Sequence, residues 1–175
     1  KKQAKTIVAE SAKSLNMPYI TERWPGGLLT NFSTIRKSIK KMNSIDTMKE
    51  DGTFDTLSKR EKLQIERTRE KLELNFGSIE NMNRIPEAIF VVDINKEHIA
   101  VAEANKLGMR SYAMVDTNTN PKLVNFPIPA NDDSTKSISK IMQIISEAIA
   151  EGLSERSKTI EEKAKIKQEK AKEIL

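Results

Sequence analysis

The chain has 175 residues, of which 37% are hydrophobic, 31% charged and 5% aromatic, with no cysteine and a net charge of +5. That length suits one domain with a proper core. The absence of Cys excludes a disulfide scaffold, a Cys-bound zinc and an iron–sulfur cluster, and no apolar run reaches the roughly 18 residues of a membrane span.

No signal peptide is visible, so a cytoplasmic protein without membrane contact is expected. The sequence opens at Lys1, already inside a helical pattern, and the remainder of a longer protein is expected. Charge is unevenly placed. Residues 1–24 hold five Lys/Arg against two Glu, and residues 30–50 hold five against two acids. Residues 85–133 hold four against seven. One face should meet a polyanion and another should not.

Residues 2–15 read as an amphipathic helix with Ile7, Val8, Ala12 and Leu15 on one face, stopped at Asn16. Pro18-Tyr19-Ile20 fits a short strand of a parallel sheet. Arg23 to Leu29 is a hinge. Pro25 fixes φ, and Gly26 and Gly27 permit positive φ and close backbone approach. Thr30 or Asn31 can cap the helix that follows. In that helix Phe32, Ile35, Ile39, Met42, Ile45 and Met48 recur at spacings of three and four, a narrow seam. Arg36, Lys37, Lys40 and Lys41 form a basic face on the other side.

Asp51-Gly52-Thr53-Phe54 breaks the helix. Thr56 or Ser58 can cap a second one, with Glu61 placed for a capping box. Ile65, Leu72, Phe76 and Ile79 make its seam, interrupted by Arg69. Two narrow seams joined by a short loop predict an antiparallel coiled-coil hairpin, each helix roughly 30 Å long. From Ser58 to Met82 the charge nearly balances, six Lys/Arg against five Glu, so the first helix and its Trp-Gly-Gly root suit a polyanion better and the second helix is mainly their support.

Glu87 to Ile94 is a continuous apolar run, the mark of a strand buried on both faces. Lys96 to Leu107 reads as a helix with Ile99, Val101, Ala102 and Leu107 apolar. Ser111–Val115 and Asn125–Ile128 read as further strands. Asn131-Asp132-Asp133 caps a helix running to about Glu151, with Ile138, Ile141, Ile145 and Ile149 inward and Gly152 as its stop. Alternating strands and helices predict right-handed crossovers and a parallel sheet. The domains expected are an α/β unit from 1–29 and 83–152, an inserted hairpin at 30–82 and a Lys/Glu-rich tail at 153–175, read as a solvated or partly frayed helix.

Chemistry at the strand ends has two readings. Asp93, Asp116 and Asn131-Asp132-Asp133 sit where open α/β sheets bind ligands, and could hold a metal or act as base. The same residues suit helix caps and turns. No Gly-rich phosphate loop follows any strand. His98, the only histidine, reads as surface, and one His without Cys makes no ordinary zinc site. Trp24 can stack on a base or fill the space under the hairpin root. Four cations from Arg36 to Lys41 without an interspersed acid suit phosphate contact as well as solvation.

Together the motifs resemble a known family. Arg23-Trp24-x-Gly26-Gly27-x-Leu29-Thr30-Asn31-Phe32-x-Thr34-Ile35 is similar to the signature of bacterial ribosomal protein S-two. So are Asp51-Gly52-Thr53-Phe54-Asp55, Pro86 to Asp93, and Asn95 to Ala100. Val115-Asp116-Thr117-Asn118-x-Asn120-Pro121 and Ile128 to Asp133 complete the set, in collinear order over about residues 2–152. The resemblance implies a flavodoxin-like or Rossmann-like α/β parallel sheet, helices on both faces, with an inserted antiparallel coiled-coil α-hairpin. It implies a non-enzymatic constituent of the small ribosomal subunit, at the head–body junction on the solvent side, without cofactor or small-molecule substrate. The implied partners are small-subunit rRNA and neighbouring ribosomal proteins, including the large mRNA-binding protein S-one, whose docking depends on it. The residues expected to carry RNA binding are Arg23, Trp24, Asn31, Arg36, Lys37, Lys40 and Lys41, with Gly26 and Gly27 setting loop geometry. Pro25 stands where many members have a bulkier aliphatic residue, and Ala130 replaces a frequent Gly. The family's N-terminal region, with its basic loops and first strands, is absent. Two alternatives come from the residues alone: a nucleotide- or metal-dependent α/β enzyme using Asp93, Asp116 and Asp132, and a coiled-coil adaptor that grips protein.

Overall fold

A computed structural model describes the backbone of residues 1–173 and the side chains of residues 1–160. The helices are α1 (Lys2–Ser14), α2 (Phe32–Glu50), α3 (Lys59–Phe76), α4 (His98–Lys106) and α5 (Thr135–Glu173). The strands are β1 (Ala88–Val91), β2 (Arg110–Val115) and β3 (Phe126–Pro129). They form one parallel sheet in the order β1-β2-β3, with Phe90 opposite Tyr112 and Tyr112 opposite Phe126.

Successive strand residues point to opposite faces, and both faces are covered. Ile89, Val91, Ala113 and Val115 pack against Val101 of α4. Phe90 and Met114 pack against Ala4 of α1 and Ile138 and Met142 of α5. This is the α/β sheet with helices on both faces that the sequence predicts. α2 and α3 leave it as an antiparallel pair. Ile35, Ile39, Met42 and Ile45 are buried along α2, whereas α3 has no fully buried residue. Arg69, which interrupts the α3 seam, turns to Asp46 of α2 and to Glu73 one turn on. At the tip, Lys49 and Lys62 flank the Phe54 ring at 5.2 and 5.6 Å. Ser58 and Glu61 form the expected capping box.

Several elements differ from expectation. Residues 18–20 form no strand: among the described residues no strand pairs with them, and the Tyr19 carbonyl accepts from the Ser78 hydroxyl instead. β1 stops at Val91 because Asp93 turns the chain, accepting the N–H groups of Asn95 and Lys96 at 2.9 and 3.0 Å. α4 buries Ala100, Val101, Glu103 and Ala104, while Ala102 and Leu107 are exposed. Four apolar or small residues in succession, Ile99 to Ala102, leave the phase of so short a helix undefined. Gly152 does not stop α5, which runs on to Glu173. A helix interior Gly costs only about 1 kcal/mol, and the Lys, Glu and Ala around it favour helix. The expected tail is thus helical over 153–173, and its last two residues lie outside the described ones.

Candidate nucleic-acid interface

The loop that launches α2 is a tight structure with a definite job for most of its groups. The Pro25 carbonyl accepts from Leu28 N–H at 3.1 Å, and the Gly27 carbonyl from Asn31 N–H at 2.8 Å. Gly27 has φ +88, and a Cβ there would lie 3.3 Å from the Asn31 Cβ. Gly26 is outside the left-handed region, and a Cβ on it would meet nothing within 4 Å. Of the two glycines expected to shape the loop, only Gly27 is required by backbone geometry.

Trp24 is half-buried and bridges two clusters. One is the hairpin root, with Leu28, Ile35, Ile39 and Ile79. The other is the edge of the α/β core, with Leu29, Ala104 and Met109. Its ring is therefore engaged in packing, and its Nε1–H points to Glu103 at 3.4 Å. Glu103 is 8% exposed. Its Oε1 accepts from Gly27 N–H at 2.6 Å, and its Oε2 from the N–H groups of Leu29 and Thr30 at 2.9 and 3.0 Å. The Thr30 hydroxyl adds a bond of 3.2 Å. Burial pushes the Glu103 carboxyl up, but these donors outweigh it and hold the group below its ordinary value. Asn31 stands at the N-cap of α2, where its Oδ1 accepts from the Thr34 hydroxyl at 2.8 Å rather than from a backbone N–H.

The basic residues separate into two kinds. Arg23, Lys37, Lys40 and Lys41 are exposed and make no ion pair among the described residues. The three lysines share the side of α2 away from its buried seam. Arg36 is half-buried, and its guanidinium donates to the Met82 carbonyl and the Asn83 side chain, both at 3.0 Å. It ties the first helix to the chain leaving the second, so the free basic surface of α2 is narrower than the spacing alone suggests.

At the strand ends the carboxylates are engaged in turns and an ion network. The Asp116 side chain accepts from Thr117 N–H at 2.7 Å and Asp132 N–H at 3.3 Å. Asn131 accepts from the N–H groups of Asp133 and Ser134 at 2.8 and 3.0 Å. The Lys1 ammonium meets Asp93 at 3.2 Å, Asp133 at 2.8 Å and buried Asp132. Burial pulls the Lys1 ammonium down, but its three carboxylate partners raise it above the ordinary lysine value. Asp132 is raised, first by burial and then by its acidic neighbours, against the pull of Lys1. His98 is exposed, with Nδ1 3.2 Å from the Asn95 carbonyl.

Sequence reasoning missed Glu103 and Lys1. The signal for Glu103 was present: it lies three residues after Ala100 and one before Ala104, on the face that α4 buries. A lone acid on the inward face of a helix needs a partner.

These features define a class: an α/β domain that projects a helical hairpin, basic along one side and clamped at its root. The chain belongs to the ribosomal protein S2 family, whose model, described as "Ribosomal protein S2", matches residues 1–152. Among curated relatives, the small ribosomal subunit protein uS2 of Flavobacterium johnsoniae is 64% identical over 156 residues, covering 89% of this chain and 61% of that protein. The uS2 protein of Flavobacterium psychrophilum is 64% identical over 157 residues, covering 90% and 59%. That of Christiangramia forsetii is 63% identical over 156 residues, covering 89% and 52%. The chain thus spans just over half to three-fifths of the length of these relatives.

Proposed function

We propose that this chain is part of a structural, non-catalytic constituent of the small ribosomal subunit, acting in translation within cytoplasmic ribosomes. Its partners in this reading are small-subunit rRNA and neighbouring ribosomal proteins, with support for docking of protein S-one. No cofactor, membrane or small-molecule substrate enters it. The relatives' name, small ribosomal subunit protein uS2, supports the assembly. The observation that carries the RNA contact is the side of α2 bearing Lys37, Lys40 and Lys41. These lysines are exposed and without ion partners among the described residues, on a helix whose other side is buried.

Phosphate is the ligand such a face suits, because three flexible ammonium groups read charge rather than base identity. Arg23 and the cap residue Asn31 extend the same surface towards the root. Trp24 and Gly27 hold the geometry of that root, and Arg36 tethers it. The chain divides in this reading into the α/β unit of 1–29 and 83–152, the hairpin of 30–82 and the charged segment of 153–175. The strand-end carboxylates, bound into turns and to Lys1, serve the fold.

Conversion of Lys37, Lys40 and Lys41 to Glu in the full-length protein tests the reading. Incorporation into small subunits should fall while circular dichroism stays unchanged. Wild-type incorporation by the folded triple variant would remove the phosphate role from this face.

A further inference from the structure

The hairpin meets the rest of the molecule through the Trp24–Thr30 loop, and that loop closes around a carboxylate from another element. Glu103 lies more than 70 residues further along the chain, on α4 beneath the sheet. A buried carboxylate is costly unless it is paired or fully bonded. Among the described residues no Lys or Arg pairs with Glu103. Its charge is held by N–H dipoles: three backbone groups of Gly27, Leu29 and Thr30, with the Trp24 indole. Successive backbone N–H groups converging at the start of a helix make an anion-binding hollow. Here the protein supplies the anion itself.

The position of this contact matters more than its strength. Leu28 packs into the hairpin-root cluster and Leu29 into the α/β cluster, so the loop changes allegiance between adjacent residues. Glu103 grips both sides of that change, taking Gly27 on one oxygen and Leu29 and Thr30 on the other. Among the described residues, the polar contacts of the chain leaving the hairpin run elsewhere. Arg36 binds the Met82 carbonyl and Asn83 within the root, and Ser78 binds the Tyr19 carbonyl. Glu103 is the polar link from the root to α4 and the sheet.

We infer that Glu103 is a positioning residue whose carboxylate, seated in the Trp24–Thr30 loop, sets the angle at which the α2–α3 hairpin leaves the α/β domain. The pose set in this way is independent of what the hairpin binds.

The test uses spin labels on the full-length protein, at Asp55→Cys on the hairpin tip and Lys136→Cys on α5. Both sites are exposed, and no cysteine within these 175 residues competes. Glu103→Gln keeps the volume and removes the charge; Glu103→Ala removes both. The tip-to-α5 distance distribution should broaden at least about twofold in width in both variants. The α/β thermal transition should persist, which separates loss of pose from loss of fold. A Glu103→Gln distribution as narrow as wild type would overturn the inference, because shape alone would then hold the joint. Loss of the folded domain in both variants would overturn it too, because the carboxylate would then serve the core. If only Glu103→Ala fails to fold, the Glu103→Gln width decides.

Discussion

Replacing Lys37, Lys40 and Lys41 with Gln gives the sharpest test of whether α2 meets nucleic acid through these side chains. The three side chains are exposed and unpaired among the described residues, while Ile35, Ile39, Met42 and Ile45 of the same helix are buried. Surface substitutions of this kind stay within about 0.5 kcal/mol of neutral. The folded domain should therefore survive, and any change in binding should come from lost charge. Each phosphate contact adds about 0.7 to 0.9 to the slope of log affinity against log salt. Three contacts add about 2 to 3 units. Between 50 and 200 mM salt the wild type should then lose about 20- to 40-fold more affinity than the triple variant. The assay is titration of full-length protein into small subunits depleted of it, repeated across a potassium chloride series. Parallel slopes for the two proteins, with the variant folded, would falsify direct phosphate contact by these lysines.

Three further outcomes are expected. Gly27→Ala should lower stability by about 1–2 kcal/mol, from an L residue forced to positive φ, and its Cβ would crowd Asn31 at 3.3 Å. Gly26→Ala, with open space around it, should be neutral or gain up to about 1 kcal/mol; urea titration of both variants compares them. Met42→Ala, at a side chain 1% exposed in the hairpin seam, should cost about 2–5 kcal/mol, read by hydrogen exchange of α2 and α3 amides. Acid should weaken the fold through Glu103 and Asp93. Burial raises both carboxyls, but their hydrogen bonds, with Lys1 at Asp93, leave them below the ordinary 4.5 and 3.8. Their stabilisation is complete above those ordinary values and is lost as pH falls through the lower folded ones. Asp132, raised by burial, works the other way, because its protonation at low pH relieves a penalty. Thermal melts from pH 7 to pH 3 should therefore show a smaller acid loss in Glu103→Gln than in wild type.

The parts of the molecule legible in the sequence are those whose rules act over short spans. The α2 seam repeats at three and four, and Ser58 and Glu61 are three apart, so periodicity and capping chemistry identify them directly. The strand 88–91 is legible because packing against helices on both faces keeps its apolar run continuous. What failed depends on distant neighbours. Residues 18–20 have strand composition, yet a strand exists only when another presents its backbone, and among the described residues none does so here. The face of α4 was misread because its small apolar residues specify no phase. Arg36 looked equivalent to Lys37, Lys40 and Lys41 because spacing along one helix says nothing of Met82 and Asn83, which arrive after the chain has returned. Glu103 was the costliest omission, since its partners lie 73 to 79 positions away.

The length of the hairpin explains why its joint should hold a buried charge. α2 has 19 residues, which at the helical rise is a lever about 28 Å long. A swing of about 10° at the root would move its far end by about 5 Å, beyond the roughly 3 Å reach of a hydrogen bond. A joint made only of apolar contacts permits such swings, because packing among aliphatic side chains has little directional preference. A carboxylate that accepts from three backbone N–H groups at once fixes direction as well as distance. The same logic separates the two ends of the lever. The tip, where Phe54 lies between Lys49 and Lys62, has exposed contacts that salt would weaken. At the root the Glu103 carboxylate is buried and held by hydrogen bonds that salt hardly screens. The spin-label distance between tip and α5 should therefore keep its width from low to high salt, whereas the binding proposed for Lys37, Lys40 and Lys41 should decline. A width that grew with salt in the wild-type protein would show that screened surface charge, and not Glu103, governs the pose.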